Sequence, residues 1–462
     1  MRGGSVVTPR GPRALDIAIA AGRFTVLSPR GRLGAAGRVE IDATGLHVLP
    51  GIIDPHVHFR EPGFEYEEDW LSGTRAAVMG GVTTVLEMPN TDPPTATAER
   101  ARAKLALAAG RAFCDHGLFA LLDPGHPDEL RPMVRQGLVV GAKAFLGPTT
   151  GDIPTLDDAA LLAGLATAAG LGLRTCVHAE DGPMIETGER LLKAAGRRDL
   201  AAHLEARPSG AETLGIERTA AAAAATGAPV HVCHVSSTDG LAAVERARAG
   251  GVDMTAELAA HHAFLSVSDV PADGWAIGKV NPPLRDASHP PQLLGALARG
   301  IIDMVASDHA PHLPAASRGP DIWSVAAGFA GVELCARIYL TAVTDGRLSL
   351  HRFAQATAEA PARAFGLWPL KGHIAVGADA DLTIVDLSAR APISSSRLHG
   401  KATATPFEGR DAVAPPIATV IRGRVVMRDG ELLTGPGWGR PVARSPIRRR
   451  VARPVRGSAR SG

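Results

Sequence analysis

Two histidines, His56 and His58, close the apolar run of GIIDPHVHFREPG, and Arg60 follows two residues later. Alternate side chains of a strand share a face, so this spacing aims both imidazoles and the guanidinium at one point. Lys143 in GAKAFLG, His178 in LRTCVHAE, His234 in VHVCHVS and Asp308 in IDMVASDHA occupy similar places within or at the ends of short apolar runs. One histidine in such a run is usually structural. Four with a carboxylate form a donor set for a divalent metal of the zinc kind, whose open position lowers the pKa of bound water towards neutrality. The set is too large for one catalytic zinc and suits a pair, which needs a bridge. Lys143 supplies one if its buried, neutral amine takes up CO2 as an anionic carbamate; the bland alternative is a head group that reaches solvent. Arg60 could grip a substrate carboxylate with its planar fork, or simply pair on the surface with Glu61 or Glu65.

Eight β-branched runs, starting at GIIDPHVHF and ending at IDMVASDHA, alternate with Ala- and Leu-rich stretches of helical length. TAERARAKLALAAG and ERTAAAAAATG read as helices, the second closed by Gly227. Such alternation predicts an α/β protein with parallel strands, and eight repeats predict a closed (β/α)8 TIM-like barrel over residues 51–365, with its chemistry at the C-terminal strand ends. Strand-like segments in 1–50 and 366–440 are expected to join as a small β-sandwich. Asp379 and Asp381, in GADADLTIVD, read as turn caps.

Composition removes several functions. The chain has 462 residues, 45% of them hydrophobic, yet no stretch long enough to span a bilayer and no signal-peptide pattern at its start, so a cytoplasmic location is expected. The four cysteines are scattered without a C-x-x-C pair, which fits reduced thiols and leaves metal binding to His and carboxylates. Net charge is +2, but residues 441–462 carry seven arginines and no acid, the composition of a disordered, solvated tail. Aromatics are only 4%, and the other basic residues are interleaved with acids, so no nucleic-acid or membrane surface is expected.

DPHVHFREPG, GGVTTVLEMPNTDPPT, HAED, HVCHVSS, KVNPPLR and SDHAPH, in that order between Leu49 and Glu333, resemble the dihydroorotase branch of the amidohydrolase superfamily, beside allantoinases and hydantoinases. The resemblance implies two zinc ions per chain. His56 and His58 with Asp308 would bind the more buried one and His178 with His234 the more exposed one, bridged by carboxylated Lys143. Manganese or cobalt would suit the same donors. It further implies that Asp308 moves the proton from the attacking water to the departing nitrogen, that Arg60, Asn90 and His312 hold a ring carboxylate, and that Asn281 contacts the ring. For Asn90 and Asn281 a loop-turn role is the alternative. Two departures concern the substrate. After DHAPH many dihydroorotases carry EEK where this chain has LPAASRGPDIWSVAAGFAGVE, and many bacterial ones have aspartate where it has Lys143. The implied activity is reversible hydrolysis of dihydroorotate to N-carbamoyl-aspartate in pyrimidine synthesis. Allantoinase or hydantoinase/dihydropyrimidinase is the rival activity, and a non-catalytic partner of aspartate transcarbamoylase the rival from another class. A homo-oligomer is expected.

Overall fold

The computed structural model describes residues 1–34, 37–270, 276–313 and 319–444. The chain opens with β1 (Ser5–Thr8), β2 (Gly11–Ala20), β3 (Arg23–Pro29) and β4 (His47–Pro50). The eight apolar runs then supply β5 (Ile52–Val57), β6 (Val82–Glu87), β7 (Asp115–Leu121), β8 (Gly141–Phe145), β9 (Thr175–His178), β10 (Val230–Val232), β11 (Met254–Ala259) and β12 (Met304–Ala306). These pair in sequence order, every neighbour parallel. The ring closes through a parallel bridge between Val57 and His309, where the His58 N–H donates to the His309 carbonyl at 2.8 Å. Every residue of β5 to β9 is buried, as continuous apolar runs must be when helices cover the outer face and side chains fill the inside.

The two helices read from the sequence are present. Ala98–Ala108 starts where the Thr97 hydroxyl accepts from the Arg100 N–H, and Ser209–Thr226 stops at Gly227, whose φ of 68° is the left-handed conformation glycine adopts without strain.

After the barrel come β13 (Leu382–Val385), β14 (Arg390–Pro392), β15 (Asp411–Val413), β16 (Ala418–Ile421), β17 (Arg424–Arg428) and β18 (Glu431–Leu432). Both chain ends enter one sheet, ordered β18-β17-β16-β13-β4-β1-β2-β3, in which β13 runs antiparallel to β4 from Leu382 opposite Pro50 to Val385 opposite His47. Backbone hydrogen bonds of Phe24 to Ala378 (3.1 Å) and Gly377 (2.8 Å) curl the β3 edge back over Val6, Ile17, Val48, Leu382 and Val420.

An ionic cluster fastens this sheet to the barrel. Lys371 Nζ lies 2.8 Å from Asp115 on β7 and 2.5 Å from Asp381, and Arg422 also contacts Asp115. Asp381 therefore does not cap a turn. It is buried, and its second oxygen accepts from the Arg422 N–H at 2.8 Å. The reason is tertiary: only the fold brings a lysine to it. Of the arginine-rich tail, Pro441 pairs with His116 and Arg444 reaches the Gly172 carbonyl at 2.5 Å; the expected disorder concerns residues 445–462, which lie outside the described residues. Among the described residues no helix is long and apolar enough to cross a membrane.

Candidate metal centre

His56, His58 and Asp308 come together because β5 and β12 are the strands that close the barrel. Their ligand atoms lie within 4.8 Å of one another, with His56 Nε2 and His58 Nε2 at 3.4 and 3.5 Å from Asp308 Oδ1. Asp54 sets this register. One of its carboxylate oxygens accepts from the His56 N–H (3.2 Å) on β5 and from the Ser307 N–H (3.1 Å) beyond β12. Burial lifts the Asp54 carboxyl to about 6, against those same hydrogen bonds.

His178 and His234 face each other on the neighbouring wall, Nδ1 to Nε2, at 3.1 Å. Nitrogen and oxygen donors at about 2.0–2.2 Å around a tetrahedral cation stand about 3.3–3.5 Å from one another. The separations of 3.4 and 3.5 Å in the first group match that edge length, and the 3.1 Å of His178 and His234 is slightly shorter, so the first group fits a divalent cation as it stands and the second fits after a small opening.

Behind the His56 and His178 rings lie buried carboxylates. His56 Nδ1 donates to Glu257 at 2.5 Å; the same Glu257 accepts from the His234 N–H at 3.2 Å and from His231 Nε2 at 2.9 Å. His178 Nε2 is 3.0 Å from Glu180, which is gripped in turn by Arg207. Burial alone would raise the Glu180 carboxyl, but Arg207, and after it His178, bring it down to about 2. Fixing the far nitrogen of a metal-binding imidazole selects its tautomer and raises its basicity. Neither Glu257 nor Glu180 was singled out from the sequence. The available signal was a lone carboxylate within the apolar run MTAELA and the acidic pair that follows His178 in HAED.

Lys143, on β8, points inward and is 1% exposed, so its head does not reach solvent. Its Nζ is 2.9 Å from Cys233 Sγ. Burial favours the neutral amine, as expected, but Cys233 and then Cys176 outweigh it and hold the ammonium above the usual lysine range. All four cysteines are free and buried.

Nine of the ten predicted site residues border one cavity of about 430 Å³ at the C-terminal end of the barrel; His312 sits one layer back, its Nε2 3.1 Å from Arg60 Nη2. Arg60 is 2% exposed, which removes the surface-pair reading; Glu61 instead binds Arg111 and the Trp70 N–H. Arg60 Nε, Asn90 Oδ1 and Asn281 Oδ1 are buried without a protein partner. Asn90 also donates to the Thr150 carbonyl at 3.3 Å, and Thr149 and Thr150 add a wall that the sequence had not suggested. Arg60, His234 and Asp308 have φ of 64°, 35° and 46°, the sparsely populated region in which side chains are held only when the surroundings over-determine them. A larger apolar cavity of about 680 Å³, between Leu122, Leu130, Leu156 and Ala163, contains no comparable constellation.

Residues 47–426 match the model of the amidohydrolase family. The chain belongs to that family. As an amidohydrolase it is similar to the allantoinase of Solibacter usitatus, 38% identical over 440 residues and 95% of both chains. It is also similar to the dihydroorotase of Halobacterium salinarum, 40% identical over 401 residues that make up 86% of this chain and 90% of the other. Among solved structures the L-hydantoinase (dihydropyrimidinase) of Arthrobacter aurescens superposes with a TM-score of 0.92 at 32% identity, over 96% of this chain and 99% of that one. This amidohydrolase is thus a hydrolase with a barrel shared by relatives of differing names.

Proposed function

We propose that the protein is a binuclear, metal-dependent hydrolase of cyclic amides whose substrate is dihydroorotate. Support for the reaction comes from the donor set, and support for the substrate from one observation: a fully buried guanidinium, Arg60, with an unpartnered Nε on the wall of the cavity the donors share. A buried guanidinium N–H that makes no hydrogen bond is costly unless an acceptor completes it, and a ring carboxylate would do so.

In this reading His56, His58 and Asp308 would hold one cation and His178 and His234 the other, with Lys143, once carboxylated, as a further anionic ligand. When bound, the two cations would polarise the scissile carbonyl and make water a nucleophile near neutral pH. The chain's own groups do the rest. Arg60 and Asn90 hold the carboxylate and so orient the ring, Asn281 contacts the ring amide, and Asp308 takes a proton from the attacking water and returns it to the departing ring nitrogen. Burial would raise the Asp308 carboxyl, but His56 and its neighbours keep it well below the usual range, so it starts as the base.

The test is ring opening of dihydroorotate, allantoin and dihydrouracil, side by side, by the zinc-loaded protein. Turnover of dihydroorotate well above the other two is the expected result. Preference for allantoin or dihydrouracil would move the protein to the rival activity with the same metal chemistry. One observation favours that rival, namely a carboxylate, Glu67, already close to Arg60.

A further inference from the structure

Arg60 is not alone behind the cavity wall. Glu67 Oε2 lies 4.0 Å from Arg60 Nε and 2.5 Å from His312 Nδ1, while His312 Nε2 lies 3.1 Å from Arg60 Nη2. All three side chains are buried, with Glu67 at 6% exposure, His312 at 5% and Arg60 at 2%. They form a closed set of one cation, one imidazole and one anion on the side of the cavity away from the metal donors.

From this geometry we infer that Glu67 is a specificity-determining residue that weakens the site's grip on ring carboxylates and so keeps uncharged cyclic amides within its range. This rests on the assignment of Arg60 to the substrate pocket.

The effect is one of charge. A carboxylate brought to Arg60 would share it with a second carboxylate 4.0 Å from the same guanidinium, in a setting with little water to screen their repulsion. His312 stands beside both, its Nδ1 2.5 Å from Glu67 and its Nε2 3.1 Å from Arg60 Nη2 and 3.0 Å from the Ala327 carbonyl, so both ring nitrogens face groups of the chain itself. An uncharged ring does not meet that repulsion.

Nothing about the metal donors enters this argument. Glu67 has no contact with Asp308 or with His56, His58, His178 and His234, and its effect passes through Arg60. A merely structural role would lower turnover of every substrate together. A specificity role changes their ratio.

The experiment compares the zinc-loaded wild-type protein with Glu67→Gln on dihydroorotate and dihydrouracil. Gln keeps the size and a hydrogen-bonding side chain while removing the charge. The expected result is a rise of about tenfold or more in the ratio of kcat/KM for dihydroorotate over dihydrouracil, carried by KM for dihydroorotate. An unchanged or lowered ratio overturns the inference. Should Glu67→Gln fold poorly, inhibition of the wild type and of Glu67→Asp by orotate, against uracil as the uncharged control, reads the same property. The shorter acid, drawn back from Arg60, should bind orotate several-fold more tightly with uracil unmoved, and equal shifts for both would refute the role. The two proposals fail separately. If the wild type opens only uncharged rings yet Glu67→Gln gains dihydroorotate turnover, the dihydroorotase reading falls and the Glu67 inference stands.

Discussion

The two walls of the cavity are built differently. On the metal wall the donors sit within barrel strands or one to two residues beyond them, and Glu257, Glu180 and Asp54 lock them from behind. On the substrate wall Arg60, Asn90, Asn281 and His312 all stand on loops. Strands whose faces are both covered have little freedom to move, whereas loops accept changed neighbours at small cost. A family can therefore keep one reaction and vary the ring it accepts. Relatives named dihydroorotase, allantoinase and L-hydantoinase at 33–40% identity are what such a division of labour produces.

The contrast breaks most sharply at Asp308. Asp308→Asn should lower kcat about 10³-fold on charged and uncharged rings alike, because a proton transfer is lost from a step common to all of them. Steady-state rates on dihydroorotate and dihydrouracil check this, and a loss confined to one substrate would contradict it. Arg60→Ala should be selective. Losing a charge-assisted pair costs about 10²-fold in kcat/KM on dihydroorotate and much less on an uncharged hydantoin, and equal losses would remove the carboxylate role.

Glu257→Gln tests the rear support of the metal wall. Such replacements typically cost about 10- to 100-fold in metal affinity or activity, so bound zinc after dialysis against a weak chelator should fall while far-ultraviolet circular dichroism stays unchanged.

The smallest expected effect concerns the loop opposite the metals. Lys279 Nζ donates to the Ile322 and Val325 carbonyls, each at 2.6 Å, and burial, helped by Arg207, lowers its pKa to about 8. The unfolded chain then binds more protons than the folded one between pH 8 and about 10.5, so this group makes stability rise with pH across that window. Subtracting the urea stability of Lys279→Met from that of the wild type at pH 8 and pH 10 should show a gain on the order of 1–2 kcal/mol at the higher pH. A flat difference would mean that Lys279 is not held against its charge.

Much of this was legible in the residues themselves. Period-two spacing aimed His56 and His58 at one point, whereas Arg60 reaches the same cavity from a loop, with a φ of 64° that strand alternation does not give. Apolar runs with helical spacers are a local signal, so the eight strands and the capped helices could be read directly. The six side chains read as donors share one cavity, as strand ends that converge in a barrel lead one to expect. What no spacing could say is which side chains stand behind them. Glu257 serves His56 from 201 residues away, Glu67 reaches His312 across 245 positions of chain, and the carboxylate near Arg60 is Glu67 where Glu61 or Glu65 was expected. Asp381, read as a turn cap, found Lys371 and Arg422 instead. Strand identity and facing come from the alternation of residues along the chain. The partner of a buried charge comes from whichever opposite charge the closed fold carries into its low-dielectric surroundings, and only the tertiary structure decides that.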